Sequence, residues 1–174
     1  QTARLSFTPV SLSDTVALHE LRTEPEVMKW TRQKRPDTCL QETEDWIRKA
    51  MPLTDSMHHS TKQKDRIVGI VGIRESESLF SKAKLYELGY MFVPGVWGRG
   101  YASESVKGIL GWWVEHLREL NALEGSGSKG KEGEVVDEER VYAIVAKANG
   151  GSMRVMEKAG FWKTNEEVGS DDGS

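Results

Sequence analysis

Cysteine is nearly absent from this sequence: Cys39 stands alone among 174 residues. One thiol closes no internal disulfide, so the fold has to rest on a packed core, and a reducing compartment, cytosol or nucleus, is the expected setting. Long apolar runs are missing too, none approaching the roughly 20 residues that a membrane-spanning helix needs. The opening residues lack the basic-then-apolar pattern of a secretion signal. Excess charge of one sign is equally scarce. A net charge of −3 offers no electrostatic argument for a nucleic acid or an anionic membrane as partner. His58 and His59 are adjacent, so they point apart on a helix or a strand, and no cysteine or third histidine lies near. No metal is expected. Cys39 has no histidine close in sequence either, and reads as a structural residue rather than a nucleophile.

What is present suits one soluble domain over residues 1–174, with 37% hydrophobic and 29% charged residues. The pattern alternates strands and helices, an α/β (α+β) organisation around a mixed sheet. Residues 4–10 form a first strand, and Ser13 caps a short helix carrying Val16, Ala17, Leu18 and Leu21. Pro25 suits the first turn of another helix through Trp30, and Thr38 begins a third, with Trp46, Ile47, Ala50 and Met51 along it and Pro52 closing it. Residues 57–64 are polar and read as a solvated loop. Ile67, Val68, Ile70, Val71 and Ile73 are a β-branched run typical of a buried strand, with Gly69 and Gly72 leaving room for close packing or a bulge.

Residues 85–93 make a second buried strand. From residue 98 to 120 Ala102, Val106, Ile109, Leu110, Trp113, Leu117 and Leu120 recur at helical spacing. Residues 124–139 (EGSGSKGKEGEVVDEE) hold two lysines against six acids, so the net acidity of the chain resides there. They read as a flexible insertion within the domain. Residues 141–146 (VYAIVA) form a short buried strand, Asn149 caps a last helix, and Gly160 sits just past its end. Phe161 onward starts one more strand.

The chemistry-bearing stretch joins the strand at residues 85–93 to the long helix through Gly98-Arg99-Gly100-Tyr101-Ala102. A helix N-terminus carries orphan N–H groups and the positive end of the dipole, and glycines let backbone approach a bulky anion such as a pyrophosphate. Arg99 and Lys107 are candidates to add positive charge, with a plainly solvated cation as the alternative for each. A dinucleotide fingerprint needs a third glycine where Ser103 stands, and a Walker loop needs G-K-[ST]. Neither fits.

These residues resemble the GNAT superfamily of acyltransferases, whose pyrophosphate motif R/Q-x-x-G-x-G/A follows a strand and opens a helix. Gly95 stands here where Arg or Gln is usual. The wording is most similar to the ribosomal-protein-acetylating (Rim-type) branch. Glu87-Leu88-Gly89-Tyr90, Trp97-Gly98-Arg99-Gly100-Tyr101-Ala102-Ser103-Glu104, Asn149-Gly150-Gly151-Ser152 and Lys158-Ala159-Gly160-Phe161 occur in that order. Thr23-Glu24-Pro25-Glu26-Val27-Met28 resembles the branch as well.

The resemblance implies an acyl-CoA N-acyltransferase fold with two splayed central parallel strands flanked by helices. It implies acetyl-CoA as cosubstrate and transfer of acetyl to an amine: a protein N-terminus, a lysine or a small molecule. The pantetheine arm would pair with backbone at Met91, Phe92 and Val93, the pyrophosphate would sit on the N–H groups of Gly98, Arg99, Gly100, Tyr101 and Ala102, and Asn149 would touch the arm. Many members use a tyrosine seven residues after that Asn as acid, and this chain has Met156 there. The branch suggests Ser152 as substitute, beside the plainer role of a serine satisfying helix donors. Glu87, the one carboxylate in the strand bordering the cleft, is the candidate base, with a water chain or no dedicated base as rivals. Tyr90 and Tyr142 read as packing residues. The family's two closing strands are not evident after Phe161, so the acceptor stays open, and a non-catalytic acyl-CoA-binding or interaction module of the same fold is the alternative.

Overall fold

The computed structural model describes residues 1–50, 57–63, 66–76, 85–123 and 140–164. The expected insertion at 124–139, Met51, Pro52 and the tail past 164 lie outside them. Among the described residues five strands, β1 (Ser6–Pro9), β2 (Met57–Gln63), β3 (Arg66–Ser76), β4 (Leu85–Phe92) and β5 (Arg140–Tyr142), form one sheet in chain order. Pairing is antiparallel from β1 to β4 and parallel between β4 and β5. The helices are α1 (Thr15–Arg22), α2 (Pro25–Met28), α3 (Leu40–Ala50), α4 (Tyr101–Leu123) and α5 (Gly150–Lys158).

Strand periodicity divides the core. Tyr86 and Leu88 of β4 pack with Val106, Ile109 and Trp113 of α4 and Met156 of α5. Met91 and Val93 lie against the cluster built by Leu18 and Leu21 of α1 and Ile47 of α3. Trp113 is buried and Trp112 half-buried, as the amphipathic pattern of α4 requires. Gly69 is needed where β3 meets β4: a Cβ there would lie 2.3 Å from the Phe92 ring and 2.5 Å from the Met91 carbonyl. The bulge lies one residue before it, because Thr61 and Lys62 face Gly69 and Ile67 and leave Val68 unpaired with β2. Val68 turns its carbonyl to β4, where it accepts the Val93 N–H at 3.0 Å.

Several local expectations are corrected. Residues 57–63 are a strand between β1 and β3, not a loop. Ser60 and Thr61 are fully buried there; Ser60 donates to Asp14 at 3.2 Å, while the Thr61 hydroxyl has no hydrogen-bond partner among the described residues. Ser11 rather than Ser13 starts the first helical segment, its N–H donating to Asp14 at 3.0 Å. Val16 faces solvent while Leu18 and Leu21 are fully buried. The fifth strand stops at Tyr142, beyond which the chain leaves β4 and has no ladder, and Ile144 is exposed. Residues 161–164 form no strand.

One buried ion pair ties α1 to the loop before α3. Arg22 grips Asp37 through two bonds of 2.7 and 2.9 Å, with both side chains almost wholly enclosed. Burial pushes the Asp37 carboxyl up, but hydrogen bonds from Arg22, Thr43 and Gln33 together outweigh it and hold the group below the usual carboxylate range.

Candidate active site

Beyond β4 the chain passes through a 3-10 turn, Pro94–Val96, and enters α4 at Tyr101. Gly98 and Gly100 adopt φ of 74° and 81°, left-handed values that cost a residue with a Cβ roughly 1–2 kcal/mol. The first intrahelical bond runs from the Glu104 N–H to the Gly100 carbonyl at 3.0 Å. The N–H groups of Tyr101, Ala102 and Ser103 therefore have no carbonyl in the helix to donate to. Glu104 would repel an anion at this end, but Arg4 reaches it at 2.6 Å and Thr2 donates to it at 2.5 Å. Burial pushes the Glu104 carboxyl up, and the bonds from Thr2 and Arg4 outweigh that and hold it down. Arg4 also donates to the Arg99 carbonyl at 3.1 Å and stacks on the Tyr101 ring. The acid of the turn is thus neutralised from within the protein, and its donors stay open.

A cavity of about 220 Å³ separates this turn from α5. Gly98, Gly100 and Ala102 line one wall, and Arg154 and Lys158 line the other. These two cations sit one helical turn apart, a spacing at which like charges repel, and neither makes an ion pair among the described residues. Sequence reasoning missed both, since an Arg and a Lys four residues apart read as a solvated face. Arg99 is placed differently from expectation. It lines a second cavity of about 430 Å³ on the far side of Pro94–Val96, together with Glu20 and Glu24. Its N–H points back to the Val96 carbonyl.

The splay is visible in the register. β4 and β5 pair over three positions, Leu85 with Arg140, Tyr86 with Val141 and Glu87 with Tyr142, after which β4 continues to Phe92 alone on that side. Because the Val93 N–H is spent on β3, strand alternation turns the backbone groups of Met91 to β3 as well and those of Tyr90 and Phe92 to the open side. Of the three residues expected to pair with an arm in this gap, Phe92 faces it, whereas Met91 and Val93 do not. Tyr90 joins Phe92 in their place. The Phe92 carbonyl is already taken by the Trp97 indole N–H at 2.7 Å, which leaves the Phe92 N–H and the Tyr90 peptide groups.

At the start of α5 the Asn149 side chain accepts the Ser152 N–H at 3.0 Å. The helix closes with Gly160 at φ 92° and bonds from the Gly160 N–H to Glu157 and from the Phe161 N–H to Met156. Capping thus belongs to Asn149, and the Ser152 hydroxyl is not needed for it. Burial pushes the Tyr90 phenol pKa up, and Ser152 draws it part of the way back. The Tyr90 oxygen is shut off from solvent and has no partner in hydrogen-bond geometry among the described residues. Glu87 lies on the opposite face of β4, with its side chain mostly enclosed. Its Oε2 accepts Arg74 Nε at 2.9 Å and Arg32 Nη2 at 3.1 Å. Instead of the lone buried carboxylate expected of a base, the structure has one carboxylate shared by two guanidiniums.

The sequence profile of the family described as the acetyltransferase (GNAT) domain matches residues 4–162. The chain belongs to the GNAT acetyltransferase family. No curated protein matches it in sequence. Among solved structures it is similar to a GNAT-family acetyltransferase from Bacillus anthracis, with 22% identity, a TM-score of 0.68, and 92% of this chain and 81% of that one covered. The ribosomal L7/L12 alpha-N-protein acetyltransferase RimL, solved with coenzyme A, gives 15% identity and a TM-score of 0.67 over 91% of this chain and 80% of that one. AAC(6′)-Ib, solved with ribostamycin and coenzyme A, gives 12% and 0.66 over 92% and 84%.

In this GNAT chain the glycine turn, the opened strand pair and the Asn149 cap converge on one side of the sheet. Met156, at the position where the family often carries a tyrosine, is a buried core residue. The acid, if a side chain supplies it, stands elsewhere.

Proposed function

We propose that this chain transfers the acetyl group of acetyl-CoA to a primary amine by direct attack within a ternary complex. The observation that carries the reading is the cleft itself: a glycine turn with open helix N–H groups leads from a strand whose parallel neighbour departs after three rungs. The pyrophosphate rests on the N–H groups of Tyr101, Ala102 and Ser103, with Arg154 and Lys158 facing it across the cavity. The pantetheine arm takes the rungs that β5 vacates, against Tyr90 and Phe92, with Asn149 beside it.

The amine attacks the thioester carbonyl, a backbone N–H in the splay stabilises the oxyanion, and the departing thiolate takes a proton from Ser152. A water takes the proton that the amine loses and returns one to Ser152, because Glu87 is already shared by Arg74 and Arg32. The acceptor is a primary amine: a protein N-terminus, a lysine or a small-molecule amine. The test is incubation with acetyl-CoA and a panel of such amines, with free thiol as readout. Tight coenzyme binding with no thiol release from any amine would point instead to an acyl-CoA-binding module.

A further inference from the structure

On the face of the sheet that carries α1 and α3, one rung has no side chain on either of two central strands. Gly89 of β4 pairs with Gly72 of β3, and a Cβ built on Gly89 would meet nothing within 4 Å. Gly89 is exposed although β4 lies inside the sheet. The next pair on this face towards the end of β4 is Met91 with Ile70, which packs against α1 and α3. The next pair the other way is Glu87 with Arg74. Glu87 is also the last residue of β4 that β5 accompanies, so the notch at Gly89 opens where the splay begins. Helices α4 and α5 pack on the other face, through Tyr86 and Leu88. The notch is therefore an approach to the splay that the coenzyme-holding elements leave free.

Charge decides what this approach admits. Glu87 Oε2 is shared by Arg74, through Nε at 2.9 Å and through Nη2, and by Arg32 at 3.1 Å. Two cations meet one anion, so the cluster is positive in sum and the enclosed Glu87 is no longer a counter-ion for an incoming ammonium. Both guanidiniums keep donors in reserve. Neither makes another side-chain hydrogen bond among the described residues, and the Arg32 side chain is 73% exposed. The loop that carries Arg32, residues 29–36, adds Lys29, Lys34 and Arg35 and no acid. Lys29 and Arg35 are paired with Glu26 and Glu42, while Lys34 makes no ion pair among the described residues. Guanidinium N–H groups lie in a planar fork that matches carboxylate oxygens. We infer that Arg32 and Arg74, gathered on one oxygen by Glu87, bind a carboxylate of the acceptor and so select an acidic amine, such as a peptide N-terminus followed by Glu or Asp. This rests on the acetyltransfer reading above. Successive residues on one face of a strand lie roughly 7 Å apart. The reacting nitrogen thus sits at Gly89 with its carboxylate about that far away, a span that a Glu at the second position of a peptide covers. A polyamine, cationic throughout, finds only repulsion beside Arg32.

The test compares C-terminally amidated peptides Ser-Glu-Gly-Gly, Ser-Gln-Gly-Gly and Ser-Lys-Gly-Gly, together with spermidine, at saturating acetyl-CoA with free thiol as readout. The Glu peptide is expected to exceed the Gln peptide by about tenfold in kcat/KM, the difference lying in the KM for peptide. The Lys peptide and spermidine are expected to fall below both. Arg32→Gln should abolish the preference for Glu over Gln, and Arg32→Glu should turn it towards the Lys peptide, with the KM for acetyl-CoA unchanged in each. Equal kcat/KM for the Glu and Gln peptides in wild type, or a preference that survives in Arg32→Gln, overturns the inference and leaves the acetyltransferase intact. Spermidine as the best of the four substrates does the same. Thiol release with no amine at all overturns the acetyltransfer reading and the inference with it.

Discussion

The Asn149 side chain holds the backbone N–H of Ser152 at 3.0 Å, so the cap of α5 is Asn149 and the Ser152 hydroxyl is not needed for it. Two roles that sequence left together on one serine are separated, and each gains its own measurement.

Ser152→Ala is expected to lower turnover at saturating acetyl-CoA by about 10²–10⁴-fold, or roughly 3–5 kcal/mol of barrier, while leaving the denaturation midpoint near that of wild type. Asn149→Ala is expected to do the reverse to stability, costing about 0.5–2 kcal/mol as a lost cap. Denaturant melts and steady-state kinetics on the two variants check both halves.

Gly100→Ala is expected to weaken acetyl-CoA binding. A Cβ has room there, its nearest neighbour being Arg4 at 3.5 Å, but φ of 81° strains any alanine and displaces the N–H groups that follow. Loss of one charge-assisted hydrogen bond, roughly 1.5–3 kcal/mol, is about tenfold or more in affinity. Gly111→Ala on the exposed side of α4, with nothing within 4 Å of its Cβ, should bind as wild type does. Calorimetric titration distinguishes the two, and equal affinity for both would remove the turn from the site.

Arg154→Gln combined with Lys158→Gln is expected to raise the dissociation constant for coenzyme A and flatten its dependence on salt, because both cations face the cavity of the glycine turn. Exposed charges are worth about 1 kcal/mol or less apiece, so the combined loss is roughly tenfold at low ionic strength. An unchanged salt slope would show that the phosphates lie elsewhere.

Asp37→Asn is expected to destabilise the fold by about 3–5 kcal/mol, since it leaves the enclosed Arg22 without its counter-charge. The Asp37 carboxyl is held below its ordinary value in the folded state. Its contribution is therefore full above the unfolded carboxylate range near pH 4 and is lost as pH falls through the lower folded value. Acid titration of stability should show a steeper fall below pH 4 for wild type than for Asp37→Asn.

Sequence and structure agree where a single physical signal dominates. The helical spacing of Val106, Ile109 and Trp113, the β-branched run of β3 and the paired glycines at 98 and 100 each have one reading. Agreement ends where a signal depends on partners remote in the chain. Ser60 is polar, and its burial rests on Asp14, 46 positions away in the chain. Glu87 reads as a lone acid until the register with Arg74 and the loop carrying Arg32 bring two cations to it. Tyr90 sits inside an apolar run, which gives no sign that its hydroxyl is shut off from solvent. The direction of backbone groups at Met91, Phe92 and Val93 follows from the register of β3 with β4, which the apolar run of neither strand specifies.

The pair that holds the glycine turn, Arg4 with Glu104, joins residues 100 positions apart. Closing so long a loop costs entropy that is recovered only after the intervening sheet has formed. The glycine turn is therefore expected to be among the last parts to take shape during folding. A chain emerging from the ribosome is expected to form α1 to α3 well before this turn is locked, so a closed turn marks a finished molecule.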